Sequence, residues 1–330
     1  MDYVVLARKY RPRTFAEVAG QETVKAVLQG AIRDERVGHA YLFAGPRGTG
    51  KTTTARLLAK ALNCERGPAP EPCNECERCL AADAGSDVDI VEVDAASNTG
   101  VDSVRSLRDQ AAYVPLRARF KVYVIDEVHM LSKQAFNALL KTLEEPPPHV
   151  KFLFATTEPG KVIDTVLSRC QVLRLSPLAE DVIRERLESI FAAEGFEAEA
   201  GVTARLATMA RGGMRDALSL ADQLVALVGK SPRLADVGRL AAEGGVDALD
   251  ELLTRIEEGD RAGALEALPV TEGGEGELVE RLLDKLRADL LATLRTHRAE
   301  SKDAALEAGA SAAGVARVKR LGGARIELWL

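Results

Sequence analysis

Residues 45–52 read GPRGTGKT, which fits the spacing G-x-x-x-x-G-K-[ST]. Glycines at these positions let the backbone curl until its N–H groups point inward, an arrangement that holds an anion. The setting is the one such a loop needs. A short apolar run, AYLFAG (40–45), precedes it and a helical run, TTTARLLAKAL, follows, so the positive end of a helix faces the same point. On this reading Gly45, Pro46, Arg47, Gly48, Thr49, Gly50, Lys51 and Thr52 cradle ATP, with Lys51 reaching the β and γ phosphates and the Thr52 hydroxyl ligating Mg²⁺. The plain alternative, a flexible Gly-rich turn matching by accident, is disfavoured by the flanking strand and helix.

Binding alone is not hydrolysis. A buried-strand run, Val122 to Ile125, ends in Asp126 and Glu127, two carboxylates where metal and attacking water would meet. Asp126 is expected to hold the magnesium shell and Glu127 to act as general base. By itself a DE pair after a strand is a solvated acidic pair; downstream of a phosphate loop it reads as catalytic. A further strand ends at Thr156 and Thr157, whose hydroxyls could orient the water or sense the γ phosphate, although Thr is also simply a good strand residue. The four histidines, His39, His129, His149 and His297, suggest no catalytic pairing and are read as structural.

Residues 63–80 read NCERGPAPEPCNECERCL and hold Cys64, Cys73, Cys76 and Cys79, four of the five cysteines in the chain. The N-terminus has no apolar signal core and no window is long and apolar enough to span a membrane, so the chain reads as cytoplasmic, with thiols reduced. In that setting C-x8-C-x2-C-x2-C indicates tetrahedral thiolate ligation of a structural zinc ion. An iron–sulfur cluster is the second reading, weakened by the missing distal Cys-Pro, and disulfides the third.

The elements that must position these groups alternate. The apolar runs at 40–45, 88–94, 119–126, 150–157 and 170–175 are separated by helical stretches, which implies an α/β fold with a parallel sheet covered on both faces. Ligands bind such sheets at the carboxyl ends of the strands. In one helix Ser132 is expected to cap the N-terminus, Phe136, Leu139, Leu140 and Leu143 to form the buried stripe, and Pro146, Pro147 and Pro148 to end it. After Pro177 the pattern is helical, with stripes at Ile183, Leu187, Ile190 and Phe191 and at Ala217, Leu220, Ala221, Leu224, Val225 and Val228. Breaks at 229–232, at Gly244 and Gly245 and at the loop 271–276 punctuate it. At 330 residues more than one core is expected, 4% aromatic content suggests aliphatic cores, and a net charge of −6 confines nucleic-acid contact to a local patch. No repeat or low-complexity tract is found.

The order LARKYRPRTFAEVAGQE, GPRGTGKT, the cysteine cluster, DAAS, VIDEVHMLSKQAFNALLKTLEEPP, FATTEP, LSRC and GGMRDALSLADQ resembles the gamma/tau subunits of bacterial DNA polymerase III, the ATPase motors of the sliding-clamp loader and members of the AAA+ class. The likeness is dense from residue 3 to about 228 and thin from 230 onward. It implies an AAA+ P-loop module with a five-stranded parallel sheet over 1–178, carrying an inserted four-cysteine zinc module at 64–79. A helical lid at 179–245 and a second all-α domain at 246–330 would follow, the latter a ring-assembling collar cut short at its C-terminus. It also gives roles to two arginines. Arg169, in Ser168-Arg169-Cys170, resembles the arginine finger that acts in trans on a neighbouring subunit's γ phosphate, and Arg215, in GGMRDAL, resembles the lid's second sensor. Outside this resemblance an SRC run is a surface arginine before a buried cysteine. The family carries zinc at the cysteines too.

The resemblance implies a motor that opens the sliding clamp and loads it onto primed DNA in DNA replication, within a hetero-oligomeric ring of clamp-loader subunits. DNA contact is expected to be to backbone phosphates. Arg105 and Arg108 are candidates for it, with a solvated helix face as the bland alternative. No polymerase carboxylate set is present, so nucleotidyl transfer in a DNA-directed DNA polymerase III holoenzyme falls to partners. Two other readings are a branch-migration helicase of the same AAA+ chemistry and a zinc-dependent nucleotide-binding scaffold.

Overall fold

The computed structural model describes residues 3–97, 101–243 and 246–268, with isolated positions between 278 and 286. Five strands make one sheet: β1 (Ala40–Ala44), β2 (Ile90–Asp94), β3 (Lys121–Asp126), β4 (Val150–Thr156) and β5 (Gln171–Arg174). Their order is β2-β3-β4-β1-β5 and every pairing is parallel. Helices α1 (Leu6–Lys9) and α2 (Glu22–Arg33) precede the sheet. Between the strands lie α3 (Lys51–Asn63), α4 (Glu77–Ala84), α5 (Val101–Ala111), α6 (Lys133–Glu144) and α7 (Asp164–Leu167). Parallel neighbours require crossovers, which put helices on both faces.

Burial follows from that layering. Every residue of β1 and β4, and Val122 to Ile125 of β3, is buried, because a central parallel strand has no wet face. Successive side chains serve opposite cores. Tyr41, Phe43, Val122, Val124 and Leu153 pack with Leu28, Leu58 and Leu62 on one side. Leu42, Tyr123, Ile125, Phe152 and Phe154 pack with Phe136 and Leu139 of α6 on the other. The expected aliphatic core is corrected here. The aromatics are few but concentrated, with Tyr41, Tyr123, Phe15, Phe43, Phe136, Phe152 and Phe154 among the largest fully buried side chains. Tyr123 and Phe152 stack with centroids 5.3 Å apart, and Phe152 and Phe154 at 5.8 Å, because adjacent strands and i, i+2 positions share a face.

The strands end level: Ala44 of β1 pairs Thr156 of β4, and Asp94 of β2 pairs Asp126 of β3. That shared edge collects the residues of the phosphate loop, the DE pair and the two threonines. On the same reasoning α6 begins where Ser132 Oγ accepts from Ala135 N at 3.1 Å and stops before Pro146.

Beyond Pro177 come α8 (Glu180–Glu194), α9 (Val202–Met209), α10 (Met214–Val228) and α11 (Leu234–Glu243). Ile183, Leu187, Ile190 and Phe191 are the buried stripe of α8. In α10 the buried residues are Ala217, Leu218, Ala221 and Leu224, so Leu218 takes the place expected of Leu220, and Val225 and Val228, also expected in the stripe, are only half-buried. The described chain divides into two compact units, the first ending at Val237 and the second starting at Gly238. In the second, α12 (Val246–Glu258) buries Leu249, Leu252 and Leu253, and α13 (Arg261–Glu266) is capped by Asp260, whose Oδ1 accepts from Gly263 N at 3.0 Å. The Gly244-Gly245 pair, the loop 271–276 and His297 lie outside the described residues, as does most of the expected 246–330 domain.

Candidate functional site

The phosphate loop joins the end of β1 to the start of α3, which begins at Lys51 behind Gly50. A cavity of about 1430 Å³ opens over it. Lys51 is 6% exposed; its Nζ donates to Pro46 O at 2.8 Å. Burial pushes its pKa down, with Glu127 and Asp126 opposing. An ammonium buried at the base of a cavity and hydrogen-bonded to a single carbonyl favours an anion as a further partner. Across the loop, Thr52 Oγ1 donates to Asp126 Oδ2 at 2.6 Å. These two hard oxygens stand slightly closer than neighbouring ligands in a magnesium octahedron, which lie about 2.9 Å apart for bonds near 2.05 Å, so a small parting of the pair would seat the ion. The donor set suits Mg²⁺ with phosphate oxygens completing the shell.

Glu127 takes a left-handed backbone conformation, φ 45°, at the exit of β3. The turn carries its carboxylate towards β4, where Oε2 accepts from Thr157 N at 3.3 Å and Thr157 Oγ1 at 3.2 Å. Strain at a non-glycine residue of this kind costs on the order of 1 kcal/mol and is found where the backbone aims a functional group. Thr156 is fully buried, and its hydroxyl accepts from Glu158 N at 3.0 Å and lies 3.0 Å from His129 Nδ1. His129 therefore belongs to this edge. His39 and His149 sit at the other end of the strands, where their carbonyls accept from Phe152 N and Lys121 N.

The helices after β5 close on the loop directly. Met214 N donates to Gly48 O at 3.0 Å, and Arg47 Nε faces Asp216 Oδ1 at 3.9 Å. A Cβ at Gly48, φ +77°, would stand 2.9 Å from Gly213 Cα, so only glycine admits the start of α10 here. Arg215 lines the cavity beside Arg47 and Lys51. Arg11 lines it too, half-buried, its pKa lowered by burial and by Arg56 and Arg215 against the pull of Glu92 and Asp126. Sequence reading assigned no role to Arg11; its signal was two arginines flanking a proline in a polar run with no partner in sequence. Arg169 does not line this cavity. Its Nη2 meets Glu144 Oε1 at 2.6 Å and Nη1 donates to Thr165 O at 2.6 Å, with the side chain 32% exposed. Arg108 pairs with Asp109 at 2.7 Å on the exposed face of α5, and the side chain of Arg105 lies outside the described residues.

The first residues strap these parts together. Leu6 N and Tyr3 OH donate to Asp222 of α10 at 2.8 and 2.5 Å, and Tyr10 OH to Glu194 of α8 at 2.5 Å. Phe15 N donates to Glu71 at 2.8 Å, inside the cysteine segment, and Gln21 Nε2 to Ser176 O at 2.7 Å.

That segment folds its four thiols together: the sulfurs of Cys64, Cys73, Cys76 and Cys79 all lie within 4.8 Å of one another. Cys73 Sγ and Cys79 Sγ are 3.9 Å apart, against about 3.8 Å for thiolates on one tetrahedral ion with bonds near 2.3 Å. Cys64 ends α3 and Cys76 starts α4, its Sγ accepting from Cys79 N at 3.4 Å. Amides of Glu75 and Cys76 pull the Cys73 thiol down to about 6, while burial pushes Cys79 up. Cys170 packs apart against the core, and burial pushes its thiol up to about 12. Among the described residues no other such group of metal-ligating side chains occurs.

Comparison with known proteins bears on the whole arrangement. The family model described as "DNA polymerase III, delta subunit" matches residues 20–179, and that for the "DNA polymerase III clamp loader subunit, ATPase lid domain" matches 182–230. The chain is 47% identical over 270 residues to DNA polymerase III subunit tau of Bacillus subtilis, covering 81% of the chain and 48% of that protein. It is 54% identical over 226 residues to the subunit tau of Escherichia coli, covering 68% and 35%. The chain belongs to the gamma/tau family of DNA polymerase III subunits. It spans between a third and a half of the length of these relatives. Among solved structures, RuvB of Thermotoga maritima, titled a Holliday junction branch migration motor, aligns at TM-score 0.54 and 21% identity over 75% of this chain and 80% of that one. That likeness shows the fold alone, an AAA+ module followed by a helical lid. No helix among the described residues is long and apolar enough to cross a membrane.

Proposed function

We propose that this chain is the ATP-hydrolysing motor subunit of a DNA polymerase III clamp loader, opening the sliding clamp and loading it onto primed DNA. The observation that carries the reading is the meeting of Thr52, Asp126 and Glu127 with Lys51 at one edge of the sheet, under helices that rest on the phosphate loop. Lys51 and the loop amides hold the phosphates, while Thr52 and Asp126 hold Mg²⁺, which when bound neutralises phosphate charge. Glu127 takes the proton of the attacking water, and the Thr156 and Thr157 hydroxyls set its direction. Arg215 reads the nucleotide from the lid, and the contact of Met214 with Gly48 supports coupling between lid angle and loop conformation.

Arg169 acts in trans. Its partial exposure, its exclusion from its own chain's cavity and its surface pairing with Glu144 suit a cation offered to a neighbouring subunit. The partners on this reading are the other loader subunits, the clamp and the DNA backbone, in the cytoplasm, where reduced Cys64, Cys73, Cys76 and Cys79 hold a structural Zn²⁺. Polymerisation belongs to other subunits of the holoenzyme. Domain limits of 1–178, 179–245 and 246–330 go with this reading.

The test is Glu127→Gln in the full-length chain assembled with its partner subunits. ATP affinity should be kept and turnover fall by about 10² to 10⁴. Clamp plus primed DNA should stimulate only the unsubstituted protein; unchanged turnover in the variant, or indifference of the unsubstituted protein to clamp and DNA, would sink the motor reading.

A further inference from the structure

His129 sits between Thr156 and Glu127, two of the groups assigned to the attacking water, in the short turn Val128–Met130 that follows Glu127. Its side chain is 7% exposed. One side of the ring is held by Thr156: His129 Nδ1 stands 3.0 Å from Thr156 Oγ1, which also accepts from Glu158 N. The other ring nitrogen, Nε2, faces Glu158 Oε1 at 3.4 Å. The same Nδ1 edge lies 3.4 Å from Glu127 Oε2, on which Thr157 N and Oγ1 also converge. A buried imidazole thus touches Thr156 at the end of β4 and is the surface against which the Glu127 carboxylate rests.

Resting on the hydrolytic reading above, we propose that His129 is a positioning residue which couples the Thr156 hydroxyl to the Glu127 carboxylate. The imidazole is rigid and nearly enclosed, so a shift of the Thr156 hydroxyl towards a phosphate displaces the ring, and the ring displaces Glu127. The base is then aligned only when the strand end senses its ligand. General-base chemistry depends steeply on such alignment, and a misplacement of an ångström costs about a hundredfold. Glu158, half exposed beside Lys161, anchors the far nitrogen of the ring and sets its plane.

Substitution in the full-length chain, alone and assembled with its partner subunits, tests this through turnover and through equilibrium titration with ATP. His129→Ala and Thr156→Ala should each lower kcat by about tenfold or more with ATP affinity held within about threefold, and the double variant should be no slower than the worse single one. His129→Asn, whose amide reaches the Nδ1 position, should recover most of the turnover, whereas His129→Gln, whose amide stands nearer Nε2, should not. Undiminished kcat in His129→Ala, additive losses in the double variant, or equal behaviour of the folded Asn and Gln variants would overturn the coupling. Should His129→Ala fail to fold, the Asn and Gln pair decides. Glu127→Gln separates the two layers: if it turns over normally the hydrolytic reading falls and this one with it, whereas its inactivity beside an active His129→Ala overturns the coupling alone.

Discussion

At the scale of single residues, the site depends on groups whose charge is out of place for their surroundings. Lys51 is buried near Glu127 and Asp126, and its ammonium is expected to provide most of the attraction for phosphate. Lys51→Ala should therefore abolish measurable ATP binding by titration while leaving the thermal midpoint within a few degrees, since the side chain is bonded only to the Pro46 carbonyl of its own loop. Asp89 makes a different point. Burial raises its pKa, but backbone amides of Arg117, Leu116 and Ala118, with Arg78 nearby, outweigh that and hold it below the usual carboxylate range. A depressed folded-state pKa means stability present above the unfolded value, about 3.9, and lost as pH falls through the folded one. Urea unfolding across a pH series should show that acid loss in the unsubstituted chain and a shallower loss in Asp89→Asn. That the phosphate loop, the DE pair and both threonines share one edge of the sheet was legible because each sits in a motif with a fixed place on a strand or helix. His129 was not, since its role comes from a β4 neighbour 27 positions later in the chain, and a lone histidine carries no such pairing.

At the scale of elements, the strand runs were readable because buried parallel strands are apolar throughout, and the end of α6 was written by its prolines. Helix-face detail was less so. Leu218 rather than Leu220 is buried in α10 because packing against neighbouring helices, not the period alone, sets the stripe. The aromatic-lined sheet faces were also hidden, since low overall content says nothing of where the few rings lie. The cysteine segment is an element made by its own side chains: a short α4 and a Pro-rich excursion hold little apolar surface, and only Cys79 of α4 is buried. Its order is expected to depend on bound metal. Elemental analysis should give about one zinc per chain, and Cys76→Ser or exhaustive chelation should lower the thermal midpoint and loosen the segment to proteases, with Lys60, which bonds Asn74 and Asp83, exposed in consequence.

At the scale of the whole molecule, the expectation concerns a second copy or a related subunit. Arg169→Ala should leave ATP binding by the isolated chain unchanged and reduce turnover of the assembled loader by about 10³ or more, in line with arginine fingers. Mixing Arg169→Ala with Glu127→Gln chains gives the sharper measurement: if the finger acts across a joint, assemblies containing both should recover the activity of those sites that pair an intact base with an intact arginine. More than one core was expected from length. The boundary of compact units at Val237 was not, because the first helices after the sheet are held to it by bonds that no local pattern encodes.

Those bonds come largely from residues 3–21, and their arrangement has a mechanical outcome. The segment is fastened in turn to Asp222 and Glu194 on the lid helices, to Glu71 in the cysteine loop and to Ser176 where β5 leaves the sheet. A tendon tied at both ends and in the middle transmits pull. On the proposed reading, a tilt of α8 and α10 would draw on Glu71 through this segment, and a metal held by the four thiols would stiffen the far end of the tendon.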